Sequence, residues 1–270
     1  MPWIPPKARQ IYTLPFIPGS TWREGLPAGP HSLRRFRRRP PGVFRLHKKM
    51  MFSPPRIKIC CISSVEEARL AIAHGAAALG LVSHMPSGPG VIPDALIAEI
   101  AAAVPPPIAT FLLTSLQSAE AIAAQHAACR TSALQLVDFV EPKELAHLRR
   151  LLPGVKLVQV IHITGPDALE EAQAIAEHVD ALLLDSGNPA LAVKELGGTG
   201  RVHDWAISRQ IRAQVHKPVF LAGGLSESNV AQAIAAVEPF GLDLCSSVRH
   251  DGKLSVQKLS AFMRAVRGAA

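Results

Sequence analysis

Cysteine is scarce in this sequence, with Cys60, Cys61, Cys129 and Cys245 the only four in 270 residues. They show neither CxxC spacing nor the density of a secreted disulfide scaffold, so free thiols in a reducing compartment are the expectation. The adjacent pair Cys60 and Cys61 makes a poor disulfide. No apolar run approaches the ~18 residues of a membrane-spanning helix, and no signal peptide with a compact apolar stretch opens the chain. Acidic residues are nearly missing from the first fifty positions. Residues 1–50 hold 11 Lys and Arg against Glu24 alone, net +10, which leaves 18 basic and 20 acidic residues, net −2, for 51–270. The formal charge of +8 therefore belongs to the N-terminal arm, and the remainder is not expected to bind nucleic acid or a membrane. With 48% hydrophobic residues the chain can bury a full-size core. A cytoplasmic globular protein is expected.

Residues 1–50 also lack sustained hydrophobic periodicity. They carry nine of the 23 prolines and the cluster LRRFRRRPP, which predicts a disordered basic extension that cannot repay its ordering entropy. Three readings of this segment stay open: a tail for nucleic acid or an anionic surface, a targeting segment, or translated sequence upstream of a start at Met50 or Met51.

From Arg56 the pattern becomes short β-rich apolar runs alternating with amphipathic stretches. The runs are RIKICC (56–61), ALGLV (78–82), ATFLL (109–113), ALQLV (133–137), KLVQVIHI (156–163), ALLLD (181–185), PVFLAG (218–223) and GLDLCS (241–246). Helix signals lie between them. Ser64 and Glu67 form a capping box ahead of Val65, Ala68 and Ile72, with Gly75 as a stop. Ser226 precedes the stripe Val230, Ala233, Ile234 and Val237, and Leu259, Phe262, Met263 and Val266 mark a last helix. Eight strands alternating with helices predict a (β/α)8 TIM barrel over 51–270. A doubly wound open sheet is the alternative, but it would gather the chemistry at one switch point. Here the candidate residues end strands spread along the sequence.

Strand side chains alternate between faces, so in KICC Lys58 and Cys60 point one way and Ile59 and Cys61 the other. If Ile59 packs outward, Cys60 faces the barrel mouth, where a thiolate can act as base or nucleophile, and Cys61 becomes buried filler. The alternative is that both are core thiols. Asp185 ends ALLLD, and a carboxylate there is either a general acid at the rim or a loop-ordering cap. The long connection SGNP to GGTGRVHDW follows, with Asp204 placed to cap the next helix. Gly223 and Gly224 in LAGGL, with Ser246 and Ser247 after Cys245, close strands seven and eight, the loops where such barrels bind phosphate.

The motifs KICCIS, ALGLV, LQLVD, LLLD, GGTGRVHDW, LAGGLSESNV and GLDLCSSV, in this order, resemble the phosphoribosylanthranilate isomerase family of tryptophan biosynthesis over roughly 56–267. The resemblance implies an intramolecular isomerase that performs an Amadori rearrangement on a phosphorylated sugar amine, without metal or organic cofactor. It implies Asp185 as general acid, Cys60 as general base, and Gly198, Thr199, Gly223, Gly224, Ser246 and Ser247 as substrate and phosphate contacts, in a monomer or homodimer. The sequence departs from the family pattern in several places. Cys61 replaces a usual Gly, Ser87-Gly88-Pro89 replaces the S-x-R whose arginine holds the anthranilate carboxylate, and QLVD (Gln135 to Asp138) replaces QLHG. Strand eight ends in Cys245-Ser246-Ser247 rather than S-S-G, with Arg249 where an acid is common. His162 stands near a usual Arg, as a substitute substrate contact or as a satisfied rim histidine. A paralogue acting on another phosphorylated sugar amine, or a barrel that binds a phospholigand without turnover, are the alternatives.

Overall fold

The computed structural model describes residues 54–269; the basic extension expected over 1–50 lies outside them. In chain order the elements are β1 (Arg56–Ile59), α1 (Val65–Ala73), β2 (Ala78–Val82), α2 (Asp94–Ala103), β3 (Ala109–Thr114), α3 (Ala119–Cys129), β4 (Ala133–Leu136) and α4 (Pro142–Leu151). They continue with β5 (Lys156–His162), α5 (Ala168–Ala176), β6 (Ala181–Asp185), α6 (Trp205–Gln214), β7 (Val219–Leu221), α7 (Val230–Val237) and β8 (Gly241–Leu244). A two-stranded hairpin, β9 (Arg249–His250) and β10 (Lys253–Leu254), leads into α8 (Val256–Gly268). The eight parallel strands form a closed barrel in sequence order, with β1 pairing β8 in the register Ile57 to Leu242 and Ile59 to Leu244. This is the TIM barrel expected from the eight apolar runs, each of which coincides with one strand to within a few residues.

Strand alternation sorts the core into two layers. Ile59, Leu79, Leu81, Leu112, Leu134, Leu182 and Leu184 point outward and pack with helix residues such as Ala68, Ile97 and Ile122. Val82, Phe111, Leu113, Val158, Val160, Leu183 and Phe220 fill the interior with Cys60, and the Phe111 and Phe220 rings meet edge to face at 6.1 Å. Each fully buried Leu or Ile stabilises the fold by roughly 1.5–3 kcal/mol relative to exposure.

Local signals hold at most boundaries. Ser64 Oγ accepts the Glu67 N–H at 3.2 Å and Glu67 returns to the Ser63 N–H at 3.0 Å, so the reciprocal bond of the capping box falls one residue early. Asp204 caps α6 by accepting the Ala206 N–H at 2.8 Å. The helix expected behind Ser226 starts later: Asn229 is its N-cap residue, and the Asn229 side chain accepts the Ser226 N–H at 2.8 Å while donating to Gly224 O at 2.9 Å. That Asn thereby fixes the loop after β7.

Candidate active site

The C-terminal ends of the strands open into a cavity of about 240 Å³. Its wall includes Cys60, Asp185, Gly198, Thr199, Gly223, Gly224, Ser246 and Ser247. Eight of the nine residues singled out from the sequence thus share one cavity, although they lie on segments spread from β1 to β8. His162 does not line it. Its Nε2 hydrogen-bonds Val137 O at 2.9 Å, and Gly187, just after β6, packs against the other side of the ring. The ring's Nδ1 is buried without a protein partner.

Cys60 stands just past the end of β1 and faces inward, as alternation from the outward Ile59 requires. The residue two before it, Lys58, is wholly buried inside the barrel and pairs with Asp243 on β8 at 2.8 Å. Burial alone would favour a neutral Lys58, but the Asp243 carboxylate, with a further contribution from Cys60, holds its ammonium above the usual lysine value. The paired Lys58 thus sits close to the Cys60 thiol. The room for both comes from Gly80 on β2, where a β-carbon would lie 2.8 Å from the Cys60 sulfur and 2.9 Å from Lys58 Nζ. The sequence pattern marks neither Gly80 nor the Lys58–Asp243 pair, because each depends on which strands close the barrel.

Alternation fails one residue later. Cys61 has φ +61°, a left-handed conformation that costs a residue with a β-carbon roughly 1–2 kcal/mol and suits the Gly usual in the related family. The strand therefore stops at Ile59 and the chain turns, so Cys61 also lines the cavity instead of pointing away from it. Its Sγ lies 2.6 Å from that of Cys245 and 3.6 Å from Pro89 O.

This turn is held from outside. Arg249 donates from Nη2 to Cys61 O at 2.5 Å and to Cys60 O at 3.2 Å, and its guanidinium pairs with Glu67 at 3.0 Å. Burial raises the Glu67 pKa, but the hydrogen bonds from Arg249 and from the Leu254 N–H outweigh it and hold the carboxyl below the usual range. Arg249, a departure from the family pattern, is thus a clamp on the backbone that carries Cys60.

On the opposite side Asp185 is buried at the end of β6. Its Oδ1 accepts the Ser186 N–H at 2.7 Å, and Gly197 comes so near that a β-carbon there would lie 2.9 Å from Oδ2. Ser186 Oγ bonds Thr199 Oγ1 at 2.7 Å, which ties the glycine-bearing loop to the strand. The same loop is fastened to β4 by Lys194, whose ammonium meets the buried Asp138 at 2.5 Å. The Asp of QLVD therefore orders the loop.

Gly223 and Gly224 have φ +77° and +60°, and β-carbons at these positions would collide with Ser186 and with the Arg201–Val202 backbone. Across from them Ser246 and Ser247 open a short 3-10 turn, and the buried Ser247 Oγ has no protein partner. The other end of the cavity is lined by Val82, Met85, Leu113, Val137 and Leu196, with Gln135 among them; Gln135 Oε1 is buried without a partner. No Lys or Arg side chain lines the cavity among the described residues. The site thus offers the thiols of Cys60, Cys61 and Cys245, the carboxyls of Asp185 and Asp243, a glycine and serine cradle, and an apolar slot.

A family model described as N-(5'phosphoribosyl)anthranilate (PRA) isomerase matches residues 57–265. The chain is 36% identical to N-(5'-phosphoribosyl)anthranilate isomerase 2 of Methanosarcina mazei over 195 residues, covering 72% of this chain and 85% of the relative. It is 33% identical to the isomerase of Methanocella arvoryzae over 213 residues, 78% and 98% of the two chains. Among solved structures, phosphoribosyl anthranilate isomerase from Thermus thermophilus superposes with TM-score 0.68 at 28% identity, covering 80% of this chain and all of the other. A phosphoribosyl anthranilate isomerase in complex with reduced 1-(o-carboxyphenylamino)-1-deoxyribulose 5-phosphate superposes with TM-score 0.65 at 25% identity, covering 79% and 99%. This chain belongs to the N-(5'-phosphoribosyl)anthranilate isomerase family.

Proposed function

We propose that this enzyme catalyses the Amadori rearrangement of N-(5'-phosphoribosyl)anthranilate to 1-(o-carboxyphenylamino)-1-deoxyribulose 5-phosphate in tryptophan biosynthesis. The observation that carries this reading is the meeting of Cys60 and Asp185 in one cavity with the glycine and serine loops after β7 and β8, in a chain of this family. In the first step Asp185 protonates the ribose ring oxygen as the C1'–O bond breaks, and the amine lone pair forms the C1'=N bond of a Schiff base. In the second, Cys60 acts as the general base and removes the C2' proton to give the enolamine. Tautomerisation moves the hydroxyl proton of C2' off oxygen and a proton onto C1', leaving the ketone. No atom is gained or lost, so two proton carriers and an anchor suffice.

The anchor is the 5'-phosphate, held by Gly223, Gly224, Ser246 and Ser247, with the free Ser247 hydroxyl as one donor; Gly198 and Thr199 cover the sugar. The arylamine occupies the apolar slot. The lack of a lining cation there favours a second reading, in which the amine is not anthranilate. Introduction of the gene into a tryptophan auxotroph lacking this isomerase separates the two: growth without tryptophan supports the first, and failure of the well-expressed protein to restore growth supports the second. No described helix is long and apolar enough to cross a membrane, and we place the enzyme in the cytoplasm as a monomer or homodimer.

A further inference from the structure

Two sulfurs in the cavity wall take no part in the proton transfers. Cys61 follows β1 and Cys245 follows β8, 184 residues apart, yet their Sγ atoms stand 2.6 Å from each other. Barrel closure makes this meeting: Cys60 N–H donates to Leu244 O at 2.7 Å, so the turns that follow the two strands emerge side by side. Both cysteines line the cavity, which gives a small solute a route to them. The pair shares its protons unevenly. Hydrogen bonding to Cys245 and Cys60, with burial, pushes the Cys61 thiol up, whereas the hydrogen bond shared with Cys61 and the nearby Arg249 guanidinium bring Cys245 below the usual thiol range despite its burial. Of the two, Cys245 is thus the sulfur that ionises more readily.

We propose that Cys61 and Cys245 form a thiol–disulfide redox site in the cavity wall, modified by low-molecular-weight disulfides. The Cys245 thiolate attacks one sulfur of a disulfide RSSR; that S–S bond breaks, a mixed disulfide forms on Cys245 and RS⁻ leaves. Cys61 loses its proton to solvent and attacks Cys245 Sγ, expelling the second RS⁻. Two protein thiols are oxidised to one disulfide and RSSR is reduced to two RSH. Both positions are among those at which the sequence departs from the pattern of the family it resembles.

The test treats the full chain with glutathione disulfide, quenches with an alkylating agent and maps the peptides by mass spectrometry. The expected result is a Cys61–Cys245 cross-linked peptide, loss of two of the four free thiols, and full recovery with dithiothreitol. In Cys61→Gly the reaction should stop at a glutathione adduct on Cys245; in Cys245→Ser Cys61 should stay reduced. A cross-link through Cys60 or Cys129, no cross-link in the wild-type chain, or Cys61 modified as readily in Cys245→Ser overturns the proposal. The wild-type map stands without either variant.

Discussion

Gly80 on β2 faces Cys60, just past the end of β1, so closely that a β-carbon at Gly80 would stand 2.8 Å from the Cys60 sulfur and 3.1 Å from its Cα. The second contact is with backbone, which cannot rotate away. Gly80→Ala is therefore expected to displace the thiol and its backbone together, at about 1–3 kcal/mol of overpacking, with a loss of kcat larger than the loss of stability predicts. Chemical denaturation and steady-state kinetics on the same preparation check this; an active, equally stable Gly80→Ala would mean that β1 and β2 can part without consequence.

Cys60→Ser and Asp185→Asn address the chemistry. A hydroxyl is a far weaker acid than a thiol, and an amide cannot deliver the proton that opens the ring, so each substitution should lower kcat by about 10² to 10⁴. Circular dichroism and melting should show the barrel unchanged. Turnover within ten-fold of wild type in either variant would remove that residue from the mechanism.

The phosphate loop makes a separate prediction. Inorganic phosphate should inhibit competitively. Gly224→Ala forces a β-carbon to within 2.7 Å of the Arg201–Val202 backbone at φ +60°, so it should raise both KM and the phosphate inhibition constant with a cost to the fold of roughly 1–2 kcal/mol for the left-handed conformation. An unaltered inhibition constant would place the phosphate elsewhere.

Glu67 gives a pH dependence. Its carboxyl is held below the usual range in the folded state by Arg249 and the Leu254 N–H, against the opposing effect of burial. A depressed carboxylate stabilises fully above its unfolded value of about 4.3 and the contribution disappears as pH falls through the lower folded value. Glu67→Gln should thus cost on the order of 1.5–3 kcal/mol at pH 7, as for hydrogen bonds to a charged group. That difference from wild type should shrink below pH ~4. Urea midpoints across pH 3 to 7 for both proteins measure it; a constant difference would show that the Arg249 clamp does not rest on the charge of Glu67.

The sequence by itself determined the barrel, since eight apolar runs of strand length separated by capped amphipathic helices leave few other ways to bury both faces of a parallel sheet. Within a strand, period-two alternation also set Ile59 and Cys60 on opposite faces, and the closed barrel decided that Ile59 is the outward one. Alternation holds only while the backbone stays extended, and it gave the wrong side for Cys61, whose φ of +61° turns the chain back over the cavity. No local pattern announces that angle when a cysteine occupies the position. The tertiary structure alone decided the partners across the closure of the barrel: Lys58 with Asp243, Arg249 with Glu67 and with the carbonyls of Cys60 and Cys61, and Cys61 with Cys245, all more than 180 residues apart. These pairings follow from β1 lying beside β8 in a shared hydrogen-bond register. Short-range propensity and periodicity carry no information about which distant residue a register brings opposite, because that is set by the global closure of eight strands.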